Sequence, residues 1–152
     1  MSDRKANHLL IKESLKEFLT IQNVKELSPN MDDTYPLGFV ERERGAMVYL
    51  NFGEPLRFCA LIEINPVLGS RGNHAHKIKK EIFYILSGKV KGTYWLQNEL
   101  KKQAETFTHI EGDLITMQPG LFHEFCALEP ALALEFSPQP LVALDTYYYS
   151  EK

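Results

Sequence analysis

His74 and His76 stand two residues apart in the stretch Gly69 to Gly88, which reads Gly-Ser-Arg-Gly-Asn-His-Ala-His-Lys-Ile-Lys-Lys-Glu-Ile-Phe-Tyr-Ile-Leu-Ser-Gly. In an extended strand, residues i and i+2 share a face, so both imidazoles point the same way. Lys77 to Lys80 is polar enough to make a turn, and Glu81 opens the apolar run Ile82 to Leu86, which reads as a buried strand. If Lys77–Lys80 closes a hairpin, Glu81 returns beside the histidines; Ser87-Gly88 then supplies a second turn signal. Two imidazole nitrogens and one carboxylate on an inner face make an incomplete metal site that asks for a fourth ligand. Taken singly, each histidine is more simply a hydrogen-bonded strand residue. The combination points to a cation, because a buried carboxylate without a partner is costly.

The elements that must position these groups are short. From Phe39 onward, apolar runs recur between turn residues: Ala46 to Phe52, Leu56 to Ile64, Val90 to Leu96, Thr106 to Ile110, Leu114 to Met117, His123 to Leu128 and Ala131 to Phe136. Many short strands with frequent turns predict an all-β sandwich or barrel. A downstream histidine fits the search for a ligand: Gly112-Asp113 makes a turn, Leu114–Met117 a strand, Pro119-Gly120 another turn, and His123 begins the next strand. Ahead of the strands, Ile11, Leu15, Phe18 and Leu19 recur at helical spacing opposite Lys12, Glu13, Lys16 and Glu17, which predicts an amphipathic helix over 7–20. Breakers at Ser28-Pro29-Asn30 and Tyr35-Pro36-Leu37-Gly38 make 28–38 a connector. The expected division is a helix and connector over 1–38, packed on a barrel over 39–152.

At 152 residues the chain has the size of one domain, and 44% apolar with 24% charged residues is ordinary for a soluble protein. A net charge of -3 gives no footprint for nucleic acid or an anionic membrane. No window approaches the apolar length of a membrane span, and the polar start lacks a signal-peptide core, so a cytoplasmic location is expected. The two cysteines, Cys59 and Cys126, lie in apolar strand-like context and read as reduced core residues. His8 and His109 read as solvent-facing, Lys77, Lys79 and Lys80 as a solvated turn, and Glu41-Arg42-Glu43-Arg44 as a mixed-charge turn.

His-x-His, a four-residue gap, Glu, six residues, Gly, and later Gly…Pro-x-x-x-His together resemble the paired motifs of the cupin superfamily. The resemblance spans roughly Val40 to Tyr149. It implies a single-domain antiparallel β-barrel of jelly-roll type, with one divalent transition metal (Zn, Mn, Fe, Ni or Cu) held inside by His74, His76, Glu81 and His123. It also turns Val90, Gly92 and Tyr94 inward, so that Tyr94 becomes a polar group on an apolar wall and Gly92 leaves room beside it. Arg71-Gly72-Asn73-His74-Ala75-His76-Lys77 resembles the Arg-Gly-x-His-Ala-His-Lys signature of the sugar-nucleotide 3,4-ketoisomerases, with Arg44-Gly45 and Phe122-His123-Glu124 resembling two further elements of that family. There the histidines matching His74 and His76 shuttle protons without a metal. Glu81 departs from that family, which carries a non-ligand residue such as Gln at this place. Gly72-Asn73-His74-x-His76 and Asp145-Thr146-Tyr147 resemble the metal-binding cupin domain of capsular-polysaccharide reductases. The cupin-type phosphoglucose isomerases are a third relative.

These resemblances imply an isomerase or epimerase acting on a keto sugar or nucleotide sugar in polysaccharide biosynthesis. Tyr94 is the first candidate for the acid or the base; without a metal, His74 or His76 becomes the base, with Glu81 orienting its partner imidazole, and Arg71 is a candidate for an anionic substrate group. As alternatives, open positions on an ion permit a metal-dependent dioxygenase of a small molecule, and a structural metal permits a non-enzymatic ligand-binding cupin. The strand Ala46–Phe52, the tyrosines 147–149 and the N-terminal helix offer a surface for a homodimer.

Overall fold

Phe83 and Ile85 alternate with Ile82 and Tyr84, and the two pairs face opposite sides of one strand. That alternation organises the computed structural model of the chain, which describes residues 11–150. The strands are β1 (Leu19–Asn23), β2 (Leu37–Arg42), β3 (Gly45–Leu50), β4 (Phe58–Ile64), β5 (Arg71–His76), β6 (Glu81–Leu96), β7 (Glu105–Ile110), β8 (Asp113–Met117), β9 (Leu121–Ser137) and β10 (Thr146–Tyr148). All pairings are antiparallel. The long strands β6 and β9 run through two layers. The first half of β6 and the second half of β9 lie between β8 and β4, with β1 beyond β8. The second half of β6 and the first half of β9 lie between β7 and β5, with β10 beyond β5.

Between the layers sit Ile62, Ile64, Phe83, Ile85, Val90 and Phe125, among others. The outer face of the first layer, Ile82, Tyr84 and Leu114, is covered by Leu37, Leu50 and Phe52 from and beside the separate β2–β3 hairpin. The outer face of the second, Trp95 and Phe122, is covered by Tyr147 and Tyr149. The tyrosine tail thus packs on its own chain, apart from Tyr148, which is exposed.

Several expectations are corrected. Within the described part of 7–20 there is no amphipathic helix: a one-turn 3-10 segment at Glu13–Leu15 leads into β1, which pairs with β8 from Leu19↔Met117 to Asn23↔Asp113. The apolar residues are buried as the helix reading required, but Leu19 and Ile21 do so on a period of two. Burying each stabilises by about 1.5–3 kcal/mol, and the ladder offered by β8 outweighs the tenths per residue that separate helix propensities. A segment before residue 39 therefore contributes a strand to the main sheet. Ser87-Gly88 is not a turn but a break of register inside β6, opposite Pro130 in β9. Gly88 is required there: its φ is +82°, and a Cβ would lie 2.2 Å from the Pro130 carbonyl oxygen. Cys59 is exposed and Cys126 half-buried, because both fall on outward positions of their strands; both are free. Among the described residues no helix is long and apolar enough to cross a membrane. His8 lies outside the described residues.

Candidate metal centre

The register of β5 on β9 sets His74 directly opposite His123. A bulge between Gly72 and His74 makes this possible, with Asn73 at φ +58° and Gly72 at φ +94°. A side chain at position 72 would place its Cβ 2.7 Å from the His123 carbonyl oxygen, so the two strands approach only over a glycine. The ring centroids of His74 and His123 are 4.8 Å apart, and those of His74 and His76 are 5.0 Å apart. Glu81 opens β6 and reaches the same point. It does not arrive through a hairpin with β5, as the residue order suggests; β5 and β6 each pair with β9 and not with each other. The ligand atoms of His74, Glu81 and His123 lie within 4.8 Å of one another.

His76 stands beside this trio without completing it. Its Nε2 is 3.2 Å from Glu81 Oε1, and its Nδ1 is 3.2 Å from Asp145 Oδ2 and 3.3 Å from Thr146 Oγ1. The same Asp145 carboxylate accepts the backbone N–H groups of Ile78 and Lys79, at 2.8 and 3.1 Å. Asp145 thus clamps the 77–80 turn and orients His76 together, the arrangement that fixes an imidazole's tautomer in metal and catalytic sites.

The charges favour a cation. His123 donates Nδ1–H to the Leu121 carbonyl at 3.3 Å, which leaves Nε2 as a lone pair in the neutral ring. Burial pushes His123 below the usual histidine range, against the pull of Glu81, and so favours that neutral ring. The lone pair faces Glu81 Oε2 at 3.2 Å. With the ring neutral these are two facing acceptors, which a shared proton or a cation between them would satisfy. His74 is lowered to about 4, chiefly by burial, so it too is a neutral nitrogen donor near pH 7. Burial raises Glu81, but His123, His76 and Lys79 together outweigh it and hold the carboxyl below its usual range. Neutral imidazole nitrogens and an ionised carboxylate suit a first-row divalent ion, so the residues fit the metal the sequence implied.

The other candidates fall elsewhere. Tyr94 is fully buried, and its hydroxyl meets Nε2 of His109 at 2.7 Å. His109, expected at the surface, has no exposed area. It shares a face with Phe107, two residues before it on β7, which turns it inward, and together with Tyr94 it fills the space that Gly92 leaves. Arg71 is exposed at the start of β5. Lys79, expected in a solvated turn, is buried: its ammonium pairs with Glu135, lies 3.4 Å from Glu81 Oε1, and sits 4.4 Å from the centre of the Phe58 ring. Burial and the neighbouring Glu81 raise Glu135, against Lys79. Lys80 is half-buried and pairs with Glu54, while Lys77 is exposed.

Lys79, Glu135 and Tyr148 belong to the surroundings of the site although motif spacing does not single them out, and Asp145, carried by the Asp145-Thr146-Tyr147 element, joins them. Glu135 shares the inward period of Ala131 and Ala133 on β9. Tyr148 lies opposite His74 in the β5–β10 pairing, with its ring 5.8 Å from the imidazole.

No family model matches the sequence, and no curated protein matches it. Solved structures do match the fold. A TDP-quinovose 3,4-ketoisomerase from Campylobacter jejuni superposes with a TM-score of 0.68 at 14% identity, over 86% of this chain and 92% of that one. A mutant sugar 3,4-ketoisomerase from Thermoanaerobacterium thermosaccharolyticum, solved in complex with TDP-4-keto-6-deoxyglucose, gives a TM-score of 0.67 at 12% identity over 86% and 87%. The capsular polysaccharide assembling protein of Staphylococcus aureus gives 0.52 at 21% identity, over 76% of this chain but 33% of that one. The chain shares the fold of these ketoisomerases.

Proposed function

We propose that the chain is a metal-binding sugar isomerase or epimerase that acts on a keto sugar carried by a nucleotide, in the making of a polysaccharide. The observation that carries this is the convergence of His74, Glu81 and His123 inside a barrel of this fold. Moving a carbonyl between adjacent carbons takes a proton from one carbon and returns one to its neighbour, so a base must stand within about 3 Å of that carbon. His76 suits this role, because Asp145 holds its Nδ1 and its Nε2 is directed to the cluster. His74, Glu81 and His123 would hold one divalent ion of the Zn, Mn, Fe, Ni or Cu group, which when bound supplies Lewis acidity toward a sugar oxygen. Arg71, exposed at the entry to β5, offers a bidentate partner for a diphosphate. Tyr94 takes part only if its contact with His109 opens.

The test is elemental analysis of protein purified without a histidine tag, then turnover of TDP-linked 4-keto-6-deoxyhexoses followed by NMR. The expected result is about one transition-metal ion per chain and migration or inversion at the carbon beside the carbonyl. Glu81→Gln should weaken metal binding about a hundredfold and reduce turnover with it. Unchanged metal content with retained turnover in that variant would remove Glu81 from the ligands. Metal-loaded wild-type protein that leaves every sugar of the panel unaltered would refute the isomerase.

A further inference from the structure

The cluster already contains one cation of its own. Lys79 Nζ lies 3.4 Å from Glu81 Oε1, the carboxylate oxygen that also faces His76, while Glu81 Oε2 faces His123. Lys79 cannot easily leave. Its backbone N–H is held by Asp145, its head lies over Phe58, and its side chain is 5% exposed. A buried ammonium is kept in place only by anions, and Lys79 has two, Glu81 and Glu135. Counting the buried ionisable groups around the histidines gives three carboxylates, Glu81, Glu135 and Asp145, against the single ammonium of Lys79. With the imidazoles neutral, the formal count leaves two negative charges, which one divalent ion would balance.

We infer that Lys79 is a built-in competitor for the metal, and that Glu135 sets the strength of the competition. The inference rests on reading His74, Glu81 and His123 as a cation site. Glu81 is shared: each increment of its charge spent on the ammonium is withheld from an ion on its other oxygen. Glu135 draws the ammonium away from Glu81 and so favours the ion. Lys79 is a positioning residue in this scheme. It touches neither ion nor sugar, and its work is to keep metal affinity below what the donor set alone would give.

The two partners must therefore act in opposite directions. Glu135→Gln leaves the ammonium with Glu81 as its one carboxylate partner, and should weaken binding about tenfold; the double variant Lys79→Met/Glu135→Gln removes the competitor without leaving Glu135 an unpaired carboxylate, frees Glu81 for the ion, and should tighten binding about tenfold or more. The measurement is titration of metal-stripped full-length protein with Mn2+ and with Zn2+ against a competing chelator, with circular dichroism to confirm folding. A merely structural role for the pair predicts weaker binding in both variants, and that result overturns the inference, as does unchanged affinity in both. Binding by the double variant but not by wild type would uphold it while refuting the metal-dependent activity, since Lys79 would then be the resident cation. Absence of binding in both would overturn it. Should the double variant fail to fold, the isosteric Glu135→Gln decides alone: tighter or unchanged affinity refutes the competition.

Discussion

Two sets of polar side chains lie inside this barrel, and they are opposites. The first, His74, His76 and His123, surrounds an ionised carboxylate and is flanked by Lys79, Asp145 and Glu135. The second, His109 with Tyr94, is packed against Phe107 and Phe125. Its Nδ1 finds no hydrogen-bond partner among the described residues, the nearer Asp113 oxygen being 3.8 Å away. Burial alone pushes His109 down to about 3, and burial, with Asp113 adding to it, pushes the Tyr94 hydroxyl well up. Both therefore stay neutral across the physiological range. Burial of imidazoles does not by itself make a site. A carboxylate in their midst creates a demand for a cation, and a neutral phenol does not.

Glycines separate the two groups experimentally, with the largest expected effects. A methyl at Gly92 would lie 2.4 Å from the Tyr94 hydroxyl and 2.6 Å from His109 Nε2, whereas one at Gly72 would meet the backbone of His123. Gly92→Ala should cost about 3 kcal/mol by overpacking, which at this chain length lowers the melting temperature by about 10 °C. Metal affinity of the folded fraction should change less than twofold. Gly72→Ala should add a loss of binding: shifting the β5–β9 approach at His123 lowers affinity about tenfold, and the positive φ with the backbone clash lowers the melting temperature at least as much. Thermal melts and metal titrations of both variants check this. Equal effects on both readouts would mean that the two groups form one unit.

Acidification offers a gentler separation. An unfolded histidine takes up its proton near pH 6.5, and folded His109 does so at about 3. The folded pKa is depressed, so the stability associated with the neutral ring is whole above about pH 6.5 and is lost as the pH falls toward 3. By pH 5 the loss from this residue is about 2 kcal/mol. His74, lowered to about 4, slopes in the same direction. His109→Gln should therefore flatten the acid limb of stability by about one proton's slope between pH 6 and 4 and leave the part due to His74 in place. Denaturant melts across that range measure it, and an unaltered slope would show that His109 does not titrate in this window.

The contrast also explains what could be read from residue order. His74, His76 and His123 were legible because strand alternation and Gly or Pro turns fix which way such residues face. His109 obeyed the same rule through Phe107, and Glu135 through Ala131 and Ala133, since both lie on strands with clear inward periods. Lys79 had no such signal. It sits in a turn, where nothing in the sequence says which way a side chain points, and Asp145, far along the chain, decides it. β1 was ambiguous for another reason: Leu15 and Leu19 satisfy a helix, Leu19 and Ile21 a strand, and only the ladder offered by β8 chose between them. Ser87-Gly88 and Glu129-Pro130 are turn signals locally, yet they face each other across β6 and β9, where they bend two paired strands without ending either.

The smallest expected effect tests the contrast at its narrowest point, the Tyr94 hydroxyl. By sequence Tyr94 is the candidate acid or base beside the metal; in the structure its oxygen is spent on His109 and has no exposed surface. Tyr94→Phe removes one buried hydrogen bond and leaves His109 Nε2 without its partner, so stability should fall by about 1–2 kcal/mol. The ring volume is kept, so Phe107 and Phe125 retain their neighbour. Turnover should stay within about threefold of wild type, because a general acid or base must reach the reacting atoms and contributes about a hundredfold or more when it does. The two numbers discriminate when taken together. A stability loss with turnover preserved assigns the phenol to the dry pair. A hundredfold fall in turnover at unchanged melting temperature would instead show that the Tyr94–His109 contact opens when substrate binds, and that this pair and the histidine cluster work on the same sugar.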